Sequence, residues 1–386
     1  MSTTNIPQLD LTTQYAQIEE EILREVSAVL RSGAYILGPT VKAFEEEIAS
    51  YLGVKHAVGV ANGSDALAIA LQALGVGLGD SVAVPVYTFI ATATAVKRVG
   101  ARPVFVDICP STYNIDLASL ESVLGSDGLK AVIPVHLFGL CADMDRLRPL
   151  AQSHGLAILE DTAQAVGAAH GGQKAGTMGQ IGSYSFFPSK NLGACGDAGL
   201  ISTDDDTLAA NLRCLRVHGQ REKYIHAELG INSRLDSVQA AILRVKLKHL
   251  DVWNQARREV AVRYAQLFAD RGIASADPNV PTPAEVTAPQ EPEGYESVYH
   301  QYVVRVHESR RDKVFEALHQ ARIGCSIYYP LALHMQPCFA DLGGREGQFP
   351  VAERACRETL ALPIFPEMTL EQQERVVDVI AGVLKA

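Results

Sequence analysis

Residues 56–107 read HAVGVANGSDALAIALQALGVGLGDSVAVPVYTFIATATAVKRVGARPVFVD. Three short apolar runs, near 56–60, 81–86 and 103–107, alternate with stretches near 65–74 and 89–98 in which apolar residues recur at helical spacing. Runs of that length suit buried strands, and the stretches between them are long enough for crossover helices. The pattern predicts an α/β fold with a mainly parallel sheet flanked by helices. Further strands are expected near 131–135, 156–160, 182–187 and 198–202, with a helix near 143–154. Upstream, 14–32 and 40–52 read as helices closed by Gly33 and Gly53. Downstream, 237–269 is amphipathic throughout and reads as one connector helix. The segment SADPNVPTPAEVTAPQEPEGY (275–295) reads as an exposed loop that adds little to a core. A strand near 299–306 and helices near 308–321, 350–360 and 369–384 predict a smaller C-terminal α+β domain. The domain division expected from this is 1–250 for an N-terminal arm and large domain, and 251–386 for the connector and small domain.

The chain has 386 residues, 47% hydrophobic composition and a formal charge of −10. A chain of this size can bury a substantial core. Its acidic balance speaks against nucleic acid or an anionic membrane as partner, because binding phosphates rests on clustered Lys and Arg. No run of 18 apolar residues occurs, and the N-terminus lacks a signal-peptide pattern, so a cytoplasmic location is expected. Seven scattered cysteines without ligand spacing fit a reducing compartment, and no metal site is expected.

Ligands of open parallel sheets bind beyond the carboxyl ends of the strands, and four polar clusters fall there. Asn62-Gly63-Ser64-Asp65 opens a helix, where free amides suit a phosphate, although Ser64 or Asp65 could simply cap the helix. At Glu160-Asp161-Thr162-Ala163-Gln164 an apolar run stops at two acids, and strand alternation allows only one of them to face a ligand. Lys190 lies between an aromatic strand, with Ser185, and the glycine-rich NLGACGDAG. Such surroundings can desolvate an amine and prepare it for Schiff-base chemistry, but a solvated lysine would look the same in isolation. Asn232 and Arg234 precede the long helical stretch and suit an anion, or else Ser233 or Asp236 caps that helix.

Taken in order, NGSDAL, VPVYTFIATATA, PVHLFG, EDTAQAVGA, SFFPSKNLGACGDAG, RVHGQREKYIH, GINSRLDSVQAAIL and YYPLALHMQP resemble the DegT/DnrJ/EryC1/StrS sugar aminotransferases, a branch of the fold type I pyridoxal-phosphate enzymes. The resemblance is nearest to members that aminate carbon 3 of nucleotide-linked sugars. It implies pyridoxal 5'-phosphate as cofactor, with pyridoxamine 5'-phosphate between two half-reactions, and L-glutamate as amino donor to a nucleotide-linked keto sugar. The product would be an amino sugar for a surface polysaccharide such as lipopolysaccharide, or for secondary metabolism. A 4-keto sugar or a keto-cyclitol is the alternative acceptor, and a cofactor-binding regulator the alternative function. By this resemblance Lys190 is the Schiff-base lysine and proton shuttle, and Asp161 pairs with the ring nitrogen. Gln164 would reach the ring hydroxyl, with Phe89 stacked on one ring face and Ala163 against the other. Gly63, Ser64, Asp65 and Ser185 would cradle the phosphate, with Asn232 contributed by the partner in a homodimer that shares its active sites. Arg234, Tyr328, Tyr329, His334, Tyr35 and His218 are the candidates for substrate contact. Many relatives have His-Tyr-Pro where this chain has Tyr328-Tyr329-Pro330, which removes a cation from that end of the site. Phe186, Phe187, His136 and His170 are expected to be structural.

Overall fold

The computed structural model describes residues 5–275, 277 and 281–386. Seven strands form the central sheet: β1 (His56–Val60), β2 (Ser81–Pro85), β3 (Arg102–Val106), β4 (Leu129–Val132), β5 (Ala157–Asp161), β6 (Ile181–Ser185) and β7 (Gly199–Thr203). Their order is β1-β7-β6-β5-β4-β2-β3. Only β7 runs against its neighbours; every other pairing is parallel. The helices α1 (Leu11–Ser32), α2 (Pro39–Leu52), α3 (Gly63–Ala73), α4 (Ala91–Arg98) and α5 (Met144–Ser153) lie in the predicted order. Apolar side chains fill both faces of the sheet. Leu67, Leu71, Val84 and Ile133 pack on the side of α3 and α4, while Val106, Val132, Leu147 and Ile158 pack on the side of α5. This double covering is what makes the strands read as continuous apolar runs.

Several expectations are corrected. The stretch 237–269 is two helices, α6 (Ser237–Leu247) and α7 (Leu250–Asp270), separated at Lys248 and His249, where the His249 ring stacks on Trp253. The segment 275–295, part of which lies outside the described residues, is not simply an exposed loop. Val286–Thr287 (β8) pairs with β9 (Tyr302–Val306), and Val286 is buried in the C-terminal core. Residues 359 and 360, expected to end a helix, instead begin β10 (Thr359–Leu362), which completes a three-stranded sheet with β8 and β9. Leu362 precedes Pro363, and that position favours extended backbone. The helices α8 (Glu308–Gln320), α9 (Pro350–Glu358) and α10 (Leu370–Leu384) accompany this sheet. Phe187 is 52% exposed, not core like Phe186. Among the described residues no helix is long and apolar enough to cross a membrane.

Candidate active site

The carboxyl ends of β1, β2, β5 and β6 converge on one place. Two adjacent acids at the end of β5 separate as strand alternation requires. Glu160 points away from the site into the protein and accepts from His136 Nε2 (2.7 Å) and the amides of Gly176 (2.8 Å), Met178 (2.6 Å) and Gly179 (2.5 Å). His136 Nδ1 accepts the Ala142 amide at 3.0 Å, so Nε2 carries the proton given to Glu160 and the imidazole is structural, as expected. Asp161 points to the opposite side. One oxygen accepts the Thr92 hydroxyl (2.8 Å) and the other the Ala163 amide (3.2 Å). Burial raises its pKa above the usual carboxylate range, against the lowering effect of those donors and of Lys190.

Lys190 follows β6 and faces Asp161. Its amine makes no hydrogen bond or ion pair of its own among the described residues, and burial pushes its pKa down to about 8, opposed by Asp161. The neighbouring Asn191 fixes this turn by donating to Asn254 Oδ1 (2.8 Å) and Val298 O (2.9 Å) and by accepting from His300 Nδ1 (3.2 Å). The site therefore holds a carboxylate and an amine, both poorly solvated, which suit a ligand that offers a cation to Asp161 and an electrophile to Lys190.

The third wall is the start of α3. Its cap is Asn62, whose side chain accepts from the Asp65 amide at 2.8 Å, and not Ser64 or Asp65 themselves. Asp65 is thereby used twice over, because its carboxylate pairs with Arg98 at 2.9 Å. That leaves the Gly63 and Ser64 amides, which as first-turn groups have no intrahelical acceptor, together with the Ser64 hydroxyl. They lie against Ser185. A Cβ on Gly63 would sit 2.7 Å from Ser185 Cβ, and one on Gly199 would sit 2.5 Å from the Asn62 carbonyl carbon. Both glycines let the helix start touch the sheet end, a close approach that suits a phosphate.

Gln164 accepts the Phe138 amide at 2.7 Å and donates to Tyr329 Oη at 3.1 Å. Tyr329 is held by its amide donating to Tyr87 Oη, and its ring packs near Phe89, with centroids 6.5 Å apart. Phe89 is 55% exposed although apolar, with its ring free to cover a ligand. Tyr328 stacks edge-on to Tyr329, and its carbonyl accepts from Tyr87. His334 is buried and bonded through Nε2 to Glu353 at 3.1 Å, while its Nδ1 has no hydrogen-bond partner among the described residues. Tyr35, Asn232 and His218 are exposed. The Tyr35 hydroxyl donates to Leu30 O, and the His218 carbonyl accepts from His226. Arg234 is half-buried and has no ion pair among the described residues. Ser233 caps nothing; its hydroxyl accepts the Ala61 amide beside β1. Among the described residues none of these four candidates is hydrogen-bonded or ion-paired to Lys190. Thr92, Arg98 and Tyr87 are not singled out by sequence reasoning, because their chemistry is ordinary until the fold brings them to the site. Among the described residues no cluster of His, Cys, Asp and Glu could hold a metal ion.

A desolvated lysine opposite a buried carboxylate, at the mouth of a parallel sheet and beside a helix start, defines an enzyme of the amine-transfer class. Residues 16–381 match the DegT/DnrJ/EryC1/StrS aminotransferase family, and the chain belongs to it. It is 49% identical over 377 residues to a protein of Geobacillus stearothermophilus named pleiotropic regulatory protein, covering 98% of both chains. It is 45% identical over 381 residues to UDP-N-acetyl-3-dehydro-alpha-D-glucosamine 3-aminotransferase of Acidithiobacillus ferrooxidans, covering 99% of this chain and 98% of that one. Among solved structures it is similar to NtdA from Bacillus subtilis with bound cofactor PMP, with a TM-score of 0.86 and 32% identity over 96% of this chain and 82% of that one.

Proposed function

We propose that this enzyme uses pyridoxal phosphate to move an amino group from L-glutamate to carbon 3 of a keto sugar carried on a nucleotide. The single observation that carries this is the placement of a poorly solvated Lys190 amine facing, without bonding, the buried Asp161 carboxylate across neighbouring strand ends. The residues fit the cofactor because Asp161 has two neutral donors and no cation hydrogen-bonded to it, and a protonated ring nitrogen supplies one. Bound here, pyridoxal phosphate supplies an aldehyde that exchanges between amines and a ring that accepts electron density from the carbon losing its proton. Lys190 would hold the cofactor's aldehyde carbon, and its amine, when free, would carry the proton taken from the donor's α carbon. Asp161 keeps the ring nitrogen protonated, and Gln164 orients the ring hydroxyl. Phe89 and Ala163 enclose the ring, while Gly63, Ser64 and Ser185 hold the phosphate. The name of the regulator-like relative does not outweigh a lysine built into such a site. Borohydride treatment of holoprotein is expected to leave a pyridoxyl group on the peptide containing Lys190; an unmodified peptide would overturn the proposal. Nucleotide-linked 3-keto sugars are expected to accept nitrogen faster than 4-keto sugars or keto-cyclitols, scored by product mass.

The neutral amine is the form that attacks, and it is lost as pH falls through about 8. Capture of pyridoxal phosphate by cofactor-free protein should therefore slow about tenfold per pH unit below that point and level off above it. A stopped-flow pH series checks this, and a flat profile between pH 6 and 8 would contradict the assignment.

The active form is a homodimer, and the location is cytoplasmic. All seven cysteines are free thiols, as a reducing compartment allows. Leu30, Tyr35 and Ile36 are each about half exposed, and Leu229, near Asn232, is 92% exposed; a second copy would cover such apolar groups. Asn232 and Arg234 then reach the partner's phosphate and substrate, which gives them a role they lack within one chain. Residues 1–250 and 251–386 serve as the two domains. Co-expressed Lys190→Ala and Asn232→Asp chains, each nearly inactive alone, should together recover about a quarter of wild-type activity, because half of a random mixture is heterodimer with one intact site. No recovery would mean that each chain completes its own site.

A further inference from the structure

Resting on the cofactor assignment above, we infer that Thr92 is a positioning residue that aims the Asp161 carboxylate at the cofactor's ring nitrogen. Thr92 sits in the first turn of α4 and is fully buried, and its Oγ1 donates to Asp161 Oδ2 at 2.8 Å. The same oxygen lies 3.2 Å from Phe89 O and 3.3 Å from Thr88 Oγ1. A hydroxyl has one proton, and Phe89 O and Asp161 Oδ2 can only accept it. The shorter, charge-assisted bond to the carboxylate is the stronger claim on that proton. Thr88, also buried, then donates to Thr92, so two hydroxyls in series send their protons toward Asp161. With the Ala163 amide on Oδ1, each carboxylate oxygen has one fixed protein donor and keeps a further acceptor site. That arrangement locks the rotation of the carboxyl group without neutralising its charge, which stays available to a cation on the ligand side. Burial alone would favour a protonated, neutral Asp161, and the Thr92 bond acts against that tendency.

A purely structural Thr92 would do no more than satisfy the start of α4, and the two roles separate by experiment. Pyridoxamine phosphate, which forms no covalent bond to Lys190, is titrated against cofactor-free wild type, Thr92→Val and Thr92→Ser. Thr92→Val is expected to bind it about tenfold or more weakly, the effect of losing one hydrogen bond to a charged group. Thr92→Ser should bind like wild type. With the analogue in which carbon replaces the ring nitrogen, wild type and Thr92→Val should bind alike, because the contact Thr92 supports no longer exists. Thr88→Val, one hydroxyl further out, should weaken pyridoxamine phosphate binding in the same direction by less, and serves if Thr92→Val does not fold. Equal binding of pyridoxamine phosphate by wild type and Thr92→Val would overturn the proposal. So would an equal loss for both ligands, or failure of serine to rescue. If wild type itself binds neither ligand, the cofactor assignment fails instead.

Discussion

Lys190→Ala is expected to lower turnover by about four orders of magnitude or more, the scale seen when a group that forms the covalent bond and moves the proton is removed. Two separate losses combine here. Without the amine the aldehyde of the cofactor must react directly with each incoming amine, and no base stands over the carbon that must lose its proton. Nothing nearby replaces it, since His300 is held well below the usual imidazole range by burial and by the Lys190 and Arg257 charges, and its Nδ1 is engaged with Asn191. Lys190→Arg should fare no better, because a guanidinium keeps its proton at neutral pH and cannot form the imine. Folding should survive both changes. The Lys190 side chain makes no hydrogen bond among the described residues, and truncating it removes a poorly solvated charge, so the thermal midpoint of the cofactor-free alanine variant should equal or exceed that of wild type. Single-turnover assays with glutamate alone and with keto sugar alone check both half-reactions. Retention of more than about one hundredth of wild-type turnover would assign the proton transfer to another group.

The central sheet was legible because its strands are covered on both faces, so every residue of β2 and β7 is buried and the apolar runs stand out from their surroundings. The edges of the fold were less so. β10 follows a helix without a turn signal; Pro363 biases only Leu362 toward extended backbone, and pairing with β9 extends the rest of Thr359–Leu362. The short β8 lies in a proline-rich stretch where composition favours a loop, yet its pairing with Val306 and Arg305 carries it into the core. In the site, the clusters around Lys190, Asp161 and Gln164 stood out by their place at strand ends, and only the family resemblance singled out these three residues. Thr92 and Tyr87 did not stand out, since a threonine in ATATA or a tyrosine in VPVYTF has no significance until its partner, 69 residues away for Thr92 and 241 for Tyr87, is known. Asp65 and His334 show the converse: each is a plausible ligand group by type, yet the fold already engages Asp65 with Asn62 and Arg98 and His334 Nε2 with Glu353.

Asp161→Asn and Glu160→Gln change neighbouring acids by the same single atom and should have opposite effects. Asparagine at 161 keeps the volume and can still accept from Thr92, but it carries no charge to hold a proton on the ring nitrogen. Residue 161 would then no longer support the negative charge that develops toward the ring during proton loss. Loss of one such preorganised electrostatic contact costs about two to three orders of magnitude in kcat, or about 2.7 to 4 kcal/mol. Stability should change little, because burial already disfavours the charged form of Asp161 in the cofactor-free protein. Glutamine at 160 meets four donors arranged for a carboxylate, His136 and the amides of Gly176, Met178 and Gly179. Its amide nitrogen must confront at least one of them, and the turn 176–179 that these bonds hold against β5 is loosened. The expected cost is about 3 kcal/mol or more of unfolding free energy, with kcat in the surviving folded fraction close to wild type. Denaturant titration and active-site-normalised kcat, run on both variants, separate the two. If Asp161→Asn lost stability and kept its kcat while Glu160→Gln did the reverse, the two faces of β5 would have been assigned the wrong way round.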